Sequence, residues 1–547
     1  MFRKWLSIVS FCWFLVAAAP PPYWSNQGVV AADHVLASEA GAEILRRGGN
    51  AVDAAVATAL AAGVVQPSSS GLGGGGFAVY GSHSDGMKTL DFREVAPKAS
   101  HASLFLDPEG NVIPGASTKG GLAVAVPGEG RGLAHLLKSA GTMSFAEVAA
   151  PAIRLAEEGF VTGDLLLRAS QKKAVAGLFE SGVPGRGALI KRPRLAKTLR
   201  AWADSEGEAL YKGKIAKDIV ASTKKAGGIL SKKDLADYRP VEREVLIGEY
   251  RGFTVVTMPP PSSGGAVLLQ VLAVLEKEDL SALGHNSSAH IHRLVESFKH
   301  AYADRAAVMG DPEFTEVPIE NMLADERIAA IRAHFDAEKT FTKDAYGGGF
   351  GLPEDGGTHH LSVLDGNGMA VALTTTINTS FGSEVVAPKS GILLNNEMDD
   401  FVAKPGVPNA FGLVGREANA VEAGKKPLSS MTPTVLFKDG RAVLVLGASG
   451  GPFIISSTLQ VISNVVDFGM DVEEAVSAPR VHHQWVPEHI FIDDGIAQDV
   501  VEGLKGRGHA VRRLSFFSSV QVIHQSEGVL YGASDPRKGG RPAGGGP

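Results

Sequence analysis

Cysteine is almost missing from this chain: 547 residues contain one, Cys12. It lies in an N-terminal stretch that reads as removable, so the mature chain is expected to offer no disulfide, no thiol nucleophile and no cysteine metal site. A lysine- or arginine-rich block is also missing. Net charge is −6 and no extended block of that kind precedes the short "DPRKGGRP" tail, which argues against a nucleic-acid partner and for a small molecule. The N-terminal apolar stretch, about 14 residues, falls short of the ~20 that a membrane span requires. No short repeat, low-complexity run before residue 538 or linker divides the chain. The length would allow roughly three domains of about 150 residues, but one compact body is expected.

What is present is glycine, 66 of them, in a composition that is 44% hydrophobic and 20% charged. Many tight turns and close backbone approaches follow. The opening "MFRKWLSIVSFCWFLVAAAP" places Arg3 and Lys4 before the apolar run and Ala17 to Ala19 after it, the layout of a signal peptide over 1–20. Export is expected, to the periplasm or outside, with an uncleaved anchor as the alternative. Removing Arg3 and Lys4 with it takes the net charge from −6 to about −8.

Helices and strands mix without βαβ alternation, which points to packed layers of sheet and helix, an α+β class. "SEAGAEILRR" and "NAVDAAVATALAAG" read as two helices, the second capped by Asn50 with Val52, Val56, Ala59, Leu60 and Gly63 on one face. "SAHIHRLVESFKHAYADRAAVMG" reads as a third, with Ile291, Leu294, Val295, Phe298, Ala301 and Tyr302 on one stripe. "FAVYGS", "FTVVTMP", "THHLSVLD", "MAVALTTTI", "AVLVLG" and "VLYGAS" read as strands.

Three glycine-rich stretches compete for the chemistry. "GLGGGG", Gly71 to Gly76, fits a dinucleotide fingerprint in letters only, because a strand follows where that site needs a helix. "GASGG", Gly447 to Gly451, sits between a strand and a helix. It suits either a nucleophile elbow at Ser449, with Asp493 or Asp494 and His509 downstream, or a turn whose free N–H groups face an oxyanion. In "GGTHHLSVLDGNGMAVALTTTIN", a three-residue loop pairs Asp365 with Met369 and carries the register back to set Thr376 opposite Thr358. A threonine hydroxyl is a poor nucleophile alone, but an N-terminal threonine has a base in its own α-amine, pKa about 7.7 to 8.0. Thr358 gains that amine if its hydroxyl attacks the Gly357 carbonyl and the chain breaks there; an ordinary strand threonine is the plain alternative. His359 and His360 point to opposite faces and His482–His483 lack a partner at zinc spacing, so hydrogen-bonded histidines are expected and no metal.

"GGNAVDAAVATAL", "GLGGGGF", "LDFREVAP", "MPPPSSGG", "AYADRAAVMGDPEF", "THHLSVLD", "NTSFGS", "GILLNNEMDDF", "KPLSSMTPT" and "GASGGP" together resemble the γ-glutamyltranspeptidases, members of the N-terminal-nucleophile hydrolase superfamily. The resemblance covers about 27–537. It implies a four-layer αββα sandwich from a precursor that cleaves itself into a large subunit, 21–357, and a small one, 358–547, with Thr358 as nucleophile and Thr376 as its hydrogen-bond partner. It implies that Arg93, Ser429 and Ser430 bind the donor's α-carboxylate, that Asn378, Glu397 and Asp400 surround its α-ammonium, and that Gly450 and Gly451 form the oxyanion hole. The implied substrates are glutathione and related γ-glutamyl amides, with water, amino acids or peptides as acceptors and no cofactor. His359 departs from the second threonine of the best-known members, and Phe411 stands where some bacterial members carry tyrosine. Three alternatives remain: a glutaryl-amide or poly-γ-glutamate acylase on the same fold, a serine hydrolase using Ser449, and a non-catalytic exported binding protein.

Overall fold

The structure is a computed structural model that describes residues 22–172, 175, 177–346, 356–514 and 518–546. The signal-peptide reading of 1–20 falls outside the described residues. Among those described, no helix is long and apolar enough to cross a membrane.

Fourteen strands form the two main sheets: β1 Tyr23–Ser25, β2 Gly28–Ala32, β3 Gly75–Ser82, β4 Gly86–Phe92, β5 Val241–Arg243, β6 Leu246–Tyr250, β7 Phe253–Thr257, β8 Gly356–Asp365, β9 Ala370–Thr379, β10 Thr434–Lys438, β11 Arg441–Ser449, β12 Ser519–Ser526, β13 Val529–Ser534 and β14 Ala543–Gly544. The first sheet runs β14-β2-β8-β9-β3-β4-β5 and the second β1-β13-β12-β11-β10-β7-β6, seven strands each. All six strands expected from the sequence are present.

Alternation along β8 decides which face looks where. Leu361 and Val363 join the core under helices α1 (Val35–Arg46) and α2 (Ala51–Val65). Ser362 and His360 face the second sheet instead. Ser362 Oγ donates to the Gln521 carbonyl on β12 at 3.1 Å, and His360 lies under Gly447, where a Cβ would come within 2.3 Å of the imidazole. Helices α3 (Gly264–Leu275), α4 (Ser288–Val308) and α5 (Phe453–Val466) cover the outer side of the second sheet, packing Val267, Phe298 and Ile455 into one core with Val435 and Val445. The order is thus helix, sheet, sheet, helix, as the resemblance implied. Each such apolar side chain contributes roughly 1.5–3 kcal/mol by leaving water.

Two helices depart from the expectation. α2 is capped by Asn50 with a reciprocal Asp53 bond as expected, but all its residues are buried, so it is a central helix and not a one-faced one. α1 begins at Val35, ahead of Ser38, because the His34 imidazole accepts the Leu36 N–H at 3.2 Å and acts as the cap. On α4, Leu294 and Phe298 enter the main core while Ile291 and Val295 pack a smaller one with Val481 and Ile490.

The "GLGGGG" stretch is a spacer. A Cβ on Gly74 would stand 1.9 Å from the Thr376 carbonyl oxygen, so this loop can lie against β9 only without side chains. That contact sets the backbone of one site residue.

Candidate active site

The β8–β9 register is Thr358 opposite Thr376, with Asp365 N–H bonded to the Met369 carbonyl at 3.1 Å across the loop. An irregularity between Gly356 and Thr358 bends the head of β8. Gly357 is required there: a Cβ would lie 2.7 Å from the Thr379 carbonyl and 2.8 Å from the Ser68 oxygen. Thr376 Oγ1 donates to the Gly357 carbonyl at 2.9 Å and accepts the Asn378 N–H at 2.8 Å. Its one proton is therefore spent, and its contact with Thr358 Oγ1 at 3.2 Å is filled by the Thr358 proton. One side chain thus touches both the hydroxyl that would attack and the carbonyl that would be attacked.

Both threonines open on a cleft of about 310 Å³ whose lining also includes Arg93, Asn378, Glu397, Asp400, Ser429, Ser430 and Gly451. Arg93 follows β4 and is 1% exposed. Its Nη atoms donate to Glu397 and, at 2.5 Å, to Asp400, and its Nε donates to the Pro427 carbonyl at 3.1 Å. Burial alone would lower the guanidinium pKa, but Glu397, Asp400 and Glu94 hold it above its ordinary value. Burial raises Glu397 well above the usual carboxyl range, with Glu94 and Asp400 adding and Arg93 opposing. Burial likewise raises Asp400, and pushes Glu94 up to about 8. Three carboxyls crowd one guanidinium, and burial makes Glu94 and Glu397 hold their protons more tightly than ordinary acids. Among the described residues, Glu397 Oε2 and Ser430 Oγ are buried without a hydrogen-bond partner. Ser429 Oγ accepts the Met431 N–H at 3.1 Å, and Asn378, at φ +75°, donates its amide to the Asn396 carbonyl at 3.1 Å.

Gly450 and Gly451 lie between β11 and α5, at φ +129° and +59°. Gly451 lines the cleft, under Phe411, whose ring would be 2.8 Å from a Cβ at that glycine; Gly450 is one residue back and not part of the lining.

The serine-triad alternative is not assembled. Ser449 Oγ donates to Asp33 at 2.8 Å and accepts from Lys538 Nζ at 2.9 Å. Asp493 pairs with Arg537 at 2.6 Å, and His509 bonds His292 at 2.7 Å. Asp494 uses its carbonyl for Arg513. The strand-turn-helix context was right, but the third dimension takes the base and acid elsewhere.

His359 is buried, 3.9 Å from Asp33, and among the described residues neither ring nitrogen has a hydrogen-bond partner; burial pushes it down to about 4, so it is neutral. This departs from the expectation of a hydrogen-bonded histidine. His360 meets it through Thr374 at 2.8 Å and Ser362 at 3.2 Å. His292, Glu296 and His509 stand close enough together to bracket an ion, but Glu296 already pairs with Lys299 at 3.0 Å and the trio does not line the cleft.

Sequence reasoning missed the far side of Thr358. Lys538 Nζ donates to the Thr358 carbonyl and pairs with Asp33 at 2.8 Å. Asp33 also accepts from Ser519 and Gln521. Burial would raise its pKa, but the Lys538 ammonium and the hydrogen bonds from Lys538 and Ser449 hold it below the usual range. No local pattern marks a lysine 180 residues downstream of Thr358 as its neighbour. Glu94, beside Arg93 in "FRE", was the missed residue nearest to a legible signal.

The family described as Gamma-glutamyltranspeptidase matches residues 37–545. The "Glutathione hydrolase proenzyme" of Escherichia coli (strain K12) is 40% identical, over 97% of this chain and 96% of that protein. Cephalosporin acylase from Bacillus halodurans has a TM-score of 0.83 at 28% identity, covering 96% of this chain and 97% of that one. Gamma-glutamyltranspeptidase from Helicobacter pylori has a TM-score of 0.55 at 38% identity, covering 56% of this chain and 91% of that one.

Proposed function

This chain belongs to the gamma-glutamyltranspeptidase family, and from that premise we propose how its residues divide the work. It is an enzyme of the N-terminal-nucleophile hydrolase type that cleaves γ-glutamyl amides of the glutathione class and transfers the acyl group. The observation that carries the residue assignments is the Thr358–Thr376–Gly357 contact set at the mouth of a charged cleft.

In the precursor, Thr358 Oγ1 attacks the Gly357 carbonyl, whose oxygen Thr376 already polarises. As the C–N bond breaks, the hydroxyl proton passes to the departing Thr358 nitrogen, leaving an ester and a free α-amine, and water then hydrolyses the ester. Residues 21–357 become the large subunit and 358–547 the small one. The freed α-amine of Thr358 then accepts the hydroxyl proton as the same oxygen attacks the donor's γ-carbonyl. The Gly450 and Gly451 amides hold the developing oxyanion. The ammonium formed at Thr358 protonates the leaving amine, leaving a γ-glutamyl ester. Water, an amino acid or a peptide gives its proton to the α-amine and takes the acyl group, and the α-ammonium returns that proton to the departing Thr358 Oγ1. Export through the N-terminal segment puts the enzyme in the periplasm or outside.

Specificity lies in the charge cluster. The donor's zwitterionic end brings one carboxylate for Arg93, Ser429 and Ser430 and one ammonium for Asn378, Glu397 and Asp400. The added pair leaves the net charge unchanged, and its ammonium favours the ionised form of the carboxyls it meets. A glutaryl amide lacks the ammonium and would leave the carboxylates facing each other. Losing one partner of a buried charge pair costs roughly 2–5 kcal/mol, so glutaryl donors should react about 30-fold to several thousand-fold more slowly in kcat/KM. A pair of p-nitroanilides, γ-glutamyl and glutaryl, tests this. Equal rates would move the assignment to a dicarboxylic-acyl amidase like the acylase reading, with Arg93 serving either substrate.

A further inference from the structure

The "HHQW" stretch, His482 to Trp485, takes no part in the chemistry above, yet it reaches the cleft from behind. Phe411 sits at the tip of a loop closed at its base by a Val402 N–H bond to the Asn419 carbonyl at 2.8 Å. The tip is a tight turn in which Asn409 Oδ1 accepts the Phe411 and Leu413 N–H groups at 3.0 and 3.1 Å. On the cleft side it is tied down by Asp399, which accepts the Ala410 N–H at 2.9 Å. On the far side Gln484 Nε2 donates to the Phe411 carbonyl at 3.1 Å.

That one contact fixes a chain of others. A carbonyl can only accept, so the Gln484 NH₂ faces Phe411 and its Oε1 faces His482 Nε2, 3.0 Å away, which must carry the proton. His482 is neutral, burial pushing it down to about 3, so its Nδ1 is bare and accepts from Ser456 Oγ at 2.7 Å. Ser456 lies in the first turn of α5, directly after the Gly450–Gly451 turn. All three side chains are nearly inaccessible, at 2% for Gln484 and 0% for His482 and Ser456.

We propose that Gln484 is the latch that holds the Phe411 loop closed over the acyl site, and so helps set how the acyl-enzyme divides between water and an amine acceptor. The inference rests on the γ-glutamyl transfer reading. Phe411 lies on the oxyanion glycine Gly451, so a loop that lifts uncovers the ester to bulk water. Gln484 is a positioning residue, acting through Phe411.

The test uses processed full-length enzyme carrying Gln484→Met, similar in length but without a donor, and Gln484→Leu. Loss of a buried carbonyl's partner should raise KM for γ-glutamyl p-nitroanilide by about 5- to 50-fold while kcat stays within about threefold. The ratio of hydrolysis to transfer onto glycylglycine should rise, and hydrogen–deuterium exchange over 402–416 should speed up. A processed variant with wild-type KM, ratio and exchange overturns the latch. So does a fall in kcat with KM and exchange unchanged, which would make Gln484 a support of α5. If the Gln484 variants fail to process, Ser456→Ala is measured in the same way; it should move all three readouts in the same directions by a smaller factor, and no movement overturns the proposal. Exchange needs no substrate. A wild type that ignores the anilide would therefore sink the transfer reading while exchange still judges the latch.

Discussion

Thr376 is the residue on which most depends, because its single hydroxyl serves Thr358 and the Gly357 carbonyl together. Thr376→Ala should slow both self-cleavage and turnover, by about 10- to 1000-fold if it resembles the loss of one catalytic hydrogen bond; a gel time course and an anilide assay would read the two effects separately. Ser449→Ala should do far less. Lys538 and Asp33 still meet directly at 2.8 Å without that hydroxyl, so cleavage should proceed and activity stay within about tenfold. Complete loss would return the serine to candidacy. Glu397 predicts a pH effect. Its raised pKa means that acidification protonates it earlier than an ordinary carboxyl, and a protonated acid no longer attracts the donor's ammonium. KM for γ-glutamyl donors should therefore climb as pH falls from neutral toward the ordinary carboxyl range, with glutaryl donors following much less. Asp400→Asn should shrink the difference between the two donors.

At the scale of elements, the hairpin was the most legible part of the chain. Three loop residues and strict alternation fix a register with no freedom, and Thr358 fell opposite Thr376 as the pairing required. The turn between β11 and α5 was legible as a turn but not as chemistry, since a strand, glycines and a helix suit either a serine elbow or a pair of amides. α2 misled because alanine, glycine and valine give a helix no polar side to reveal how deeply it is buried. Gly357 carries an element-scale prediction. Gly357→Ala puts a methyl within 3 Å of two backbone groups, so the head of β8 must shift, and a gel should show mostly uncut chain. Rapid, complete cleavage of that variant would mean the bend is not needed for the reaction.

At the scale of the whole molecule, the site draws on segments from Arg93 to Lys538, which is why so little of its far side could be read locally. Sequence pattern reaches contacts within one hairpin or one helix turn. It does not reach Asp33, Ser449 and Lys538, which meet only when β2, β11 and the C-terminal segment converge. Arg93, Asn378, Glu397, Asp400, Ser429 and Ser430 were named through family resemblance, each being unremarkable alone as a surface ion pair, cap or turn. These segments converge behind Thr358, and the proposed self-cleavage at Gly357–Thr358 is what would create the catalytic amine. Purified protein should run as two pieces on a denaturing gel, and N-terminal sequencing of the smaller should begin at Thr358, while Thr358→Ala stays whole and inactive. A wild type that turns over γ-glutamyl p-nitroanilide as a single uncut chain would rule out an N-terminal threonine as the nucleophile.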